Sequence, residues 1–268
     1  MQMSLKSIPT MTKTQNPSTK LLVSEYTKQQ FRDICDDVVS GIRTENGVGT
    51  LQEKTIHAVL KNYYEPDCSK QEQKVAGFVA DIFTGNEIIE VQTRGFYKLR
   101  RKLEAFLPLY PVTIVYPVTH LKWLRWVNEE TGEVSKPRKS PKVGSALAIF
   151  PELYRIKMFL PNDNLRFHIV LLDVEEYRLL NGWSKDKKKG STRNDGIPTE
   201  LHDIITLNTL SDFAQILPAE LPDAFTSADL KQTLRCSKAL AGVTLNILAH
   251  IGVIHRTGKK GNSIIYSR

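Results

Sequence analysis

The sequence predicts an α/β protein, in which helices flank a mixed β-sheet, followed by a small C-terminal unit of two helices and a hairpin. Between residues 51 and 118 the hydrophobic pattern follows the order helix, strands, hairpin, helix and strand, which is typical of α/β folds. After residue 210 the pattern changes to short helices and a glycine-rich hairpin. The 268 residues are enough for one large domain and one small one.

The chain is expected to divide into three segments. Residues 1–24 are rich in Ser, Thr, Lys and Gln, and they are predicted to be disordered. Residues 25–210 are predicted to form the main domain and residues 211–268 the C-terminal domain. Apolar residues at helical spacing predict a first helix over residues 27–42, and a second, amphipathic helix over residues 51–60 that carries Glu53.

A two-residue turn is the clearest local signal in the main domain. Gly85-Asn86 lies between two strand-like segments and favours a tight β-hairpin. If these residues form the turn, the opposed pairs are Thr84 with Glu87, Phe83 with Ile88, Ile82 with Ile89, and Asp81 with Glu90. Side chains opposed in this way lie about 5 Å apart at Cβ. The carboxylates of Asp81 and Glu90 are therefore predicted to face each other.

Apolar residues surround this pair of carboxylates, which predicts a crevice with little water. Like charges in such a place are costly unless one is protonated or a cation bridges them. Mg²⁺ prefers oxygen ligands and fits the spacing. The alternative is a pair of solvated surface groups, the ordinary state of carboxylates. Gln92 and Arg94 follow Glu90 on the same strand face, and this polar context favours the metal site.

The later elements follow from the same kinds of pattern. The sequence predicts a helix with apolar residues at 96, 99, 103 and 106, a strand over 111–117, a hairpin over 122–135, a helix over 146–160 with Pro151 near its start, and a buried strand over 167–172. The acidic run Asp173–Glu176 is a second candidate metal site. It receives less weight because acids at the end of a strand often cap a following helix, and no opposing acid is expected there.

The helix, hairpin and strand that carry Glu53, Asp81, Glu90 and Gln92 resemble the PD-(D/E)xK superfamily of restriction-endonuclease-like nucleases. The resemblance covers residues 50–118 and implies a restriction-endonuclease-like fold. It also implies that Asp81 and Glu90 bind Mg²⁺, or Mn²⁺, and that Glu53 and Gln92 assist catalysis. The superfamily usually has Lys where Gln92 stands, and an amide can hydrogen-bond but carries no charge.

The activity implied by this resemblance is metal-dependent endonucleolytic hydrolysis of DNA. The ion would polarise the phosphate and lower the pKa of a bound water. Arg94 or Lys98 is expected to supply the missing positive charge. His57, one helical turn from Glu53, is interpreted as an ordinary, partly buried histidine. The surrounding sequence, through Trp183, is also similar to a group of uncharacterised bacterial proteins.

The C-terminal segment is similar to a winged helix-turn-helix. Thr226–Asp229 has the form of a capping box, and Ser237 opens a second helix with one apolar stripe. The following hairpin has a basic, glycine-rich tip containing Lys259 and Lys260, which are expected to contact a DNA backbone or minor groove. The polar face of the second helix, which includes Asn246 and His250, is predicted to face solvent. Protein contact is the alternative for this segment.

The net charge of +8 comes from two segments, residues 136–142 and 185–193, which each carry +4. Concentrated positive charge suits phosphate backbones, although basic runs are often only solvated loops. Both readings stay open for residues 136–142, whereas Trp183 beside residues 185–193 favours nucleic-acid contact there. The candidate nucleic-acid-binding residues are Arg94, Lys98, Lys185, Lys187, Lys188, Lys189, Arg193, Lys259 and Lys260, with double-stranded DNA as the expected partner.

Composition excludes several classes of protein. No apolar run reaches the roughly eighteen residues that a membrane span needs, and the N-terminal residues lack a secretory pattern. Cys35, Cys68 and Cys236 are scattered, which indicates reduced thiols and a cytoplasmic location. Cutting both strands with one site per chain would favour a homodimer. The alternative to a nuclease is a catalytically inactive, nuclease-fold regulator that binds nucleic acid, or an interaction module.

Overall fold

The computed structural model describes residues 24–46, 54–182 and 190–268. The helices are α1 (Glu25–Asn46), α2 (Lys54–Tyr64), α3 (Arg100–Phe106), α4 (Phe150–Arg155), α5 (Ser227–Thr233) and α6 (Lys238–His250). The strands are β1 (Gln71–Val75), β2 (Phe78–Phe83), β3 (Ile88–Val91), β4 (Val112–Asn128), β5 (Arg138–Lys139), β6 (Leu165–Leu180), β7 (Thr192–Leu207), β8 (Ala224–Phe225), β9 (His255–Lys260) and β10 (Ser263–Ser267). Residues 1–23, predicted to be disordered, lie outside the described residues.

A seven-stranded mixed sheet forms the centre of the molecule, in the order β1-β2-β3-β4-β6-β7, with β5 paired to β4. Strands β3, β4 and β6 run parallel, and the other pairings are antiparallel. Helix α3 connects β3 to β4, and α4 connects β4 to β6, since parallel neighbours require a crossover. The mixed α/β prediction is confirmed.

Helices cover both faces of this sheet because its central strands are apolar on both sides. On one face, Leu103 of α3 and Phe150 of α4 pack over Ile114 in one hydrophobic cluster. On the other face, Phe31 of α1 and Leu60 of α2 belong to a second cluster. Consecutive residues of β4 alternate between the two clusters, as the two-residue period of a strand requires.

The hairpin at Gly85-Asn86 has the predicted register. Ile82 pairs with Ile89 and Phe83 with Ile88, and the Thr84 amide donates to the Glu87 carbonyl at 3.1 Å. Gly85 has φ of +97°, a conformation that costs glycine little. The turn therefore sets Asp81 and Glu90 at the same level of neighbouring strands.

The predicted helix over residues 146–160 is wrong in detail. This segment forms a 3₁₀ turn (Ala146–Ile149), the short helix α4 and a second 3₁₀ turn (Lys157–Phe159). Pro151 lies in the first turn of α4, where its missing N–H has no helical partner to lose. The segment satisfies its apolar pattern by burying Leu147, Phe150 and Leu153 without one continuous helix.

The interpretation of Asp173–Glu176 as a strand end is also wrong. Strand β6 continues through this run to Leu180, and Asp173 lies opposite Glu200 of β7. Glu176 accepts hydrogen bonds from Lys122 at 2.9 Å and from Arg178 at 2.8 Å. Basic partners on β4 and on β6 itself neutralise Glu175 and Glu176, so no helix cap is needed.

The C-terminal unit consists of α5, α6 and the three-stranded sheet β8-β10-β9. The predicted capping box is present, with Thr226 and Asp229 bonded reciprocally, and the Ser237 hydroxyl accepts from the Leu240 amide at 3.1 Å. Leu245 and Tyr266 belong to the same cluster as Phe150 of the main sheet. The C-terminal unit therefore shares the core of the preceding residues, and the boundary at residue 210 stays a prediction.

Part of the α6 face that was predicted to meet solvent lies against the rest of the molecule. Lys157 donates to the Asn246 side chain at 3.1 Å, and His250 donates to the Lys157 carbonyl at 3.3 Å. The prediction holds for Lys238, Gly242 and His250, which are exposed, whereas Asn246 is only partly exposed. Helical periodicity identifies a polar face and gives no information on polar neighbours such as Lys157.

His168 on β6 gives the fold an expected pH dependence. Burial lowers the pKa of His168 to about 4, and its Nδ1 lies 3.0 Å from the Tyr64 hydroxyl. In the unfolded chain its pKa is about 6.5. Below that value the unfolded state binds a proton that the folded state does not, so stability falls as pH falls from 6.5 towards 4. Between pH 7 and 5 the loss from this group should be about 2 kcal/mol.

Urea unfolding at pH 7 and pH 5 measures this loss, with His168→Gln as the comparison chain. The substitution lowers stability at both pH values, but it should reduce the difference between them by about 2 kcal/mol. The same pH difference in both chains would contradict the assignment.

Candidate metal-binding and active site

Asp81 and Glu90 occupy neighbouring positions on the paired strands β2 and β3. Asp81 Oδ2 accepts the Val91 amide at 2.8 Å, and the Asp81 amide points to Glu90 Oε1 at 3.4 Å. Side chains thus take the place of ladder bonds at this level of the hairpin. The two residues are close, since each carboxylate approaches a backbone amide of the other strand and the Asp81 charge affects the pKa of Glu90. That the carboxylates face each other stays a prediction.

Each carboxylate also has a basic neighbour from a helix. His57 Nε2 of α2 lies 3.1 Å from Asp81 Oδ2. Lys102 Nζ of α3 lies 2.7 Å and 3.0 Å from the two oxygens of Glu90. The two helices approach from opposite faces of the sheet, so one cation or donor reaches the acidic pair from each side.

The electrostatics of the two acids differ. Burial raises the pKa of Glu90 to about 7, and the nearby Asp81 carboxylate adds to the shift against the opposing effect of Lys102. Burial would also raise the pKa of Asp81, but the hydrogen bond and charge of His57 and the Val91 amide outweigh it and hold the pKa below its usual value. Asp81 is thus the permanently ionised member of the pair, and Glu90 is poised between its two states near neutral pH.

The Gln92 side chain turns away from the two carboxylates. Its Nε2 donates to the Arg94 carbonyl, while its backbone amide donates to Val115 at 2.9 Å. Lys98 is exposed on the 3₁₀ turn Phe96–Leu99. The cation that contacts Glu90 is Lys102. Neither Arg94 nor Lys98, which were expected to replace the lysine of the motif, occupies the position beside Glu90.

A cavity of about 160 Å³ lies beyond the end of β3. Its lining includes Ile56 of α2, Thr119 of β4 and the two arginines Arg94 and Arg193. Arg193 Nε also lies 3.8 Å from Glu176 and remains 45% exposed. Two guanidinium groups at one cavity favour binding of an anion such as a phosphate.

The remaining predicted site residues are spread over the molecule. Glu53, Lys185, Lys187, Lys188 and Lys189 lie outside the described residues. Lys259 and Lys260 are exposed at the tip of the β9–β10 hairpin. In the first basic segment, Lys139 of β5 lies over the Trp123 ring at 5.7 Å from its centroid, which is a cation–π contact rather than a free loop.

Two groups of residues escaped the sequence analysis. Lys102 was missed, and His57 was set aside, because only the crossing of α2 and α3 over the sheet brings them to the hairpin. The second group, His120, Asp173 and His202, has ligand atoms that all lie within 4.8 Å of one another. Their long separation in sequence gave no spacing signal, and the acidic run containing Asp173 was the only hint.

Comparison with known sequences places these residues in a family. The family described as "Domain of unknown function (DUF8091)" matches residues 54–208. The chain belongs to this family. The matched DUF8091 segment holds Asp81, Glu90, Lys102 and the His120 cluster, and it ends before the C-terminal helices.

An uncharacterized protein of Treponema pallidum (strain Nichols) is 31% identical over 225 residues, which cover 82% of this chain and 87% of the relative. The similarity to this relative therefore extends beyond the segment that the family matches. No solved structure matches the chain. Within the described ranges, no helix is both long and apolar enough to cross a membrane.

Proposed function

We propose that this DUF8091 protein is a Mg²⁺-dependent endonuclease that hydrolyses phosphodiester bonds in DNA, with a restriction-endonuclease-like main domain. The observation that carries the proposal is the paired carboxylates of Asp81 and Glu90, both largely buried and joined through the Asp81 amide. Buried like charges this close need a cation or a proton. Carboxylate oxygens are the donors that Mg²⁺ prefers.

In this proposal Asp81 and Glu90 hold the ion, with Mn²⁺ as a substitute, and Glu53 and Gln92 assist. Bound Mg²⁺ would polarise the phosphate and lower the pKa of its water. His57 fixes the orientation of Asp81 through its 3.1 Å contact. Lys102 provides the positive charge that Gln92 lacks. Because Lys102 contacts Glu90, its charge would lie beside the phosphate that is cut. Arg94 and Arg193 hold a neighbouring phosphate at the cavity.

The test is incubation of purified protein with supercoiled plasmid, linear duplex, single-stranded DNA and RNA. Each is treated with Mg²⁺, with Mn²⁺ and with chelator. Cleavage of DNA that needs the metal is the expected result, and internal cuts in covalently closed plasmid identify an endonuclease. Absence of metal-dependent cleavage on all four substrates would overturn the proposal. A sedimentation measurement of the DNA complex tests whether a homodimer cuts both strands.

One observation favours the rival, a nuclease-fold regulator without catalysis. Both acids already have partners in the structure, His57 on Asp81 and Lys102 on Glu90. A lysine bonded to both oxygens of Glu90 occupies the place that a metal ion would take. Calorimetric titration with Mg²⁺ and Mn²⁺ distinguishes the nuclease from the regulator. A nuclease binds the metal, and Glu90→Gln removes that binding. A regulator binds DNA but does not bind the metal.

The C-terminal unit is proposed to be a winged helix-turn-helix that binds the duplex through its hairpin. The support is its order of α5, α6 and the β9–β10 hairpin, together with exposed Lys259 and Lys260 at the tip. Contacts with Lys157 partly cover α6. We therefore propose that the hairpin contacts the DNA backbone and that α6 does not read the bases. The alternative use of this unit is protein contact.

Replacing Lys259 and Lys260 together by Ala should lower the dependence of DNA affinity on salt. Each phosphate contact contributes about 0.9 to the slope of log K against log salt concentration, so the slope should fall by roughly 1.8. Fluorescence anisotropy between low and moderate salt measures it. The matched control replaces Lys74 and Arg101, which are exposed outside the C-terminal unit. Equal slopes for both double variants would remove the hairpin from the DNA interface.

A further inference from the structure

The side chains of His120, Asp173 and His202 converge where β4, β6 and β7 run side by side. One ligand atom from each lies within 4.8 Å of the other two. We propose that these residues form a binding site for a borderline divalent transition metal, typified by Zn²⁺, separate from the Asp81–Glu90 site. Two imidazoles and one carboxylate form a donor set that suits Zn²⁺ and related ions far better than Mg²⁺.

The backbone of all three strands departs from regular pairing at this level. On β4, His120 and Leu121 both lie opposite Asp173, because Thr119 pairs with Leu172 and Lys122 with Val174. On β7, His202 is the extra residue between Leu201 and Asp203, which pair with adjacent residues of β6. A β-bulge interrupts the regular alternation of side chains between the two faces of a sheet. Here one bulge on each outer strand places a histidine beside the carboxylate of the middle strand.

Gly144 holds His120 in an orientation suited to a ligand. The Gly144 amide donates to the His120 carbonyl at 2.8 Å, and the Gly144 carbonyl accepts from His120 Nδ1 at 3.2 Å. Since a carbonyl only accepts, Nδ1 carries the proton and Nε2 is left with its lone pair. A Cβ at position 144 would lie 2.0 Å from the Thr119 carbonyl oxygen, so this close support needs glycine.

Asp173 is also fixed by its backbone surroundings. Its Oδ1 accepts the Leu121 amide at 3.0 Å, which leaves Oδ2 for an ion. In the described part of the chain, neither imidazole hydrogen-bonds this carboxylate. The Oδ2 oxygen of Asp173 therefore has no bond to either imidazole and is available to a shared cation.

Rotation of the His202 side chain would complete the geometry that metal binding requires. Its ring stacks on His120 at 3.8 Å between centroids, with 16° between the planes. Ligands at about 2.1 Å from a tetrahedral ion lie about 3.4 Å apart, and each ring plane must point at the ion. The exposed His202 side chain can turn about its side-chain torsions to meet this requirement, whereas His120 and Asp173 are already anchored. The fourth coordination position would hold water.

The test measures Zn²⁺ affinity by competition with a chromogenic indicator. It uses full-length protein prepared without a polyhistidine tag and with Cys68→Ser, because the exposed Cys68 thiol could bind the ion on its own. One equivalent of Zn²⁺ should bind, and His202→Ala should weaken it by at least roughly 100-fold, the upper range for losing even an outer partner of a ligand. His255→Ala, another exposed histidine, should leave the affinity unchanged.

Two further measurements decide among the outcomes. Co²⁺ added to the wild type should give visible absorption bands that His202→Ala loses, and Zn²⁺ should raise the Tm of the wild type alone. Asp81→Asn should bind Zn²⁺ as the wild type does, so failure of the nuclease proposal leaves this one intact. Equal affinity in His202→Ala and His255→Ala, or a loss caused by Asp81→Asn instead, would overturn the Zn²⁺ site.

Discussion

Asp81→Asn should lower the rate of metal-dependent DNA cleavage by roughly 10²–10³-fold or more, since it removes the ionised member of the carboxylate pair. The pKa of Asp81 is held below its usual value by His57 and the Val91 amide, so this oxygen is negatively charged at every pH at which the protein would act. An amide can accept the same hydrogen bonds but carries no charge for an ion. Metal affinity should therefore fall together with the rate.

Single-turnover cleavage of plasmid and calorimetric titration of Mg²⁺ measure the two effects. Asp163→Asn is a matched control, because Asp163 is exposed and far along the chain from the hairpin. The free energy of unfolding should change little in either variant, since asparagine preserves the contact with the Val91 amide. Cleavage by Asp81→Asn at the rate of the Asp163→Asn control would remove the hairpin from the chemistry.

Lys102→Met should destabilise the protein in a manner that depends on pH. Glu90 is 2% exposed, and Lys102 bonds both of its carboxylate oxygens. Removing the cation leaves a buried, unpaired acid, which costs about 3 kcal/mol when the acid is ionised. At low pH the acid takes up a proton and most of that cost disappears.

The pKa of Glu90 determines whether the loss of stability grows or shrinks as pH rises. Its value is raised from 4.5 to about 7 in the folded chain, mainly by burial and then by Asp81. Between these values the folded state binds a proton that the unfolded state lacks, so this group's contribution to stability is lost as pH rises. Without Lys102 the folded pKa rises further, and the loss extends to higher pH. The variant should differ little from the wild type at pH 5 and most at pH 8.

Urea unfolding at the two pH values gives the free energies. Adding Glu90→Gln to Lys102→Met should restore most of the stability at pH 8, because no buried charge is then left unpaired. Lys98→Met, an exposed lysine four positions earlier, serves as the control. A Lys102→Met chain that is equally destabilised at pH 5 and pH 8 would show that its loss comes from packing alone.

The hairpin and the closeness of Asp81 to Glu90 could be predicted from sequence because both follow from local chemistry. Gly85-Asn86 specifies the turn, and the turn specifies the register on either side. The mixed sheet was predictable for a related reason, since its central strands contain short apolar runs that lie between helical patterns. In each case the information lies within about ten residues.

The role of Lys102 was not predictable in the same way. Its place over Glu90 depends on the angle at which α3 crosses the sheet, which no local pattern encodes. The full lengths of β4 and β6 were missed as well. Beyond Val118 and Val174 these strands leave the hydrophobic clusters and are held by cross-strand ion pairs such as Lys122 with Glu176, so the hydrophobic period fades while the pairing continues.

The His120 cluster shows a third limit. Its members come from three strands and meet only because two bulges shift the alternation of side chains. A bulge reverses the face to which later residues point, so a strict period-two reading of β4 or β7 misplaces every residue after it. The sequence shows that position 144 is glycine. Only the structure shows why, because a Cβ there would clash with the Thr119 carbonyl oxygen beside His120.

The sharing of one hydrophobic cluster by α4, α6 and β10 has a practical consequence for anyone who trims this protein for crystallisation. A fragment cut at residue 208, where the family match ends, would lose Leu245, Ile247 and Tyr266 from over Phe150 and Leu153. The uncovered apolar patch would promote aggregation on expression. Productive boundaries therefore retain the last sixty or so residues, and limited proteolysis should leave them attached to the sheet.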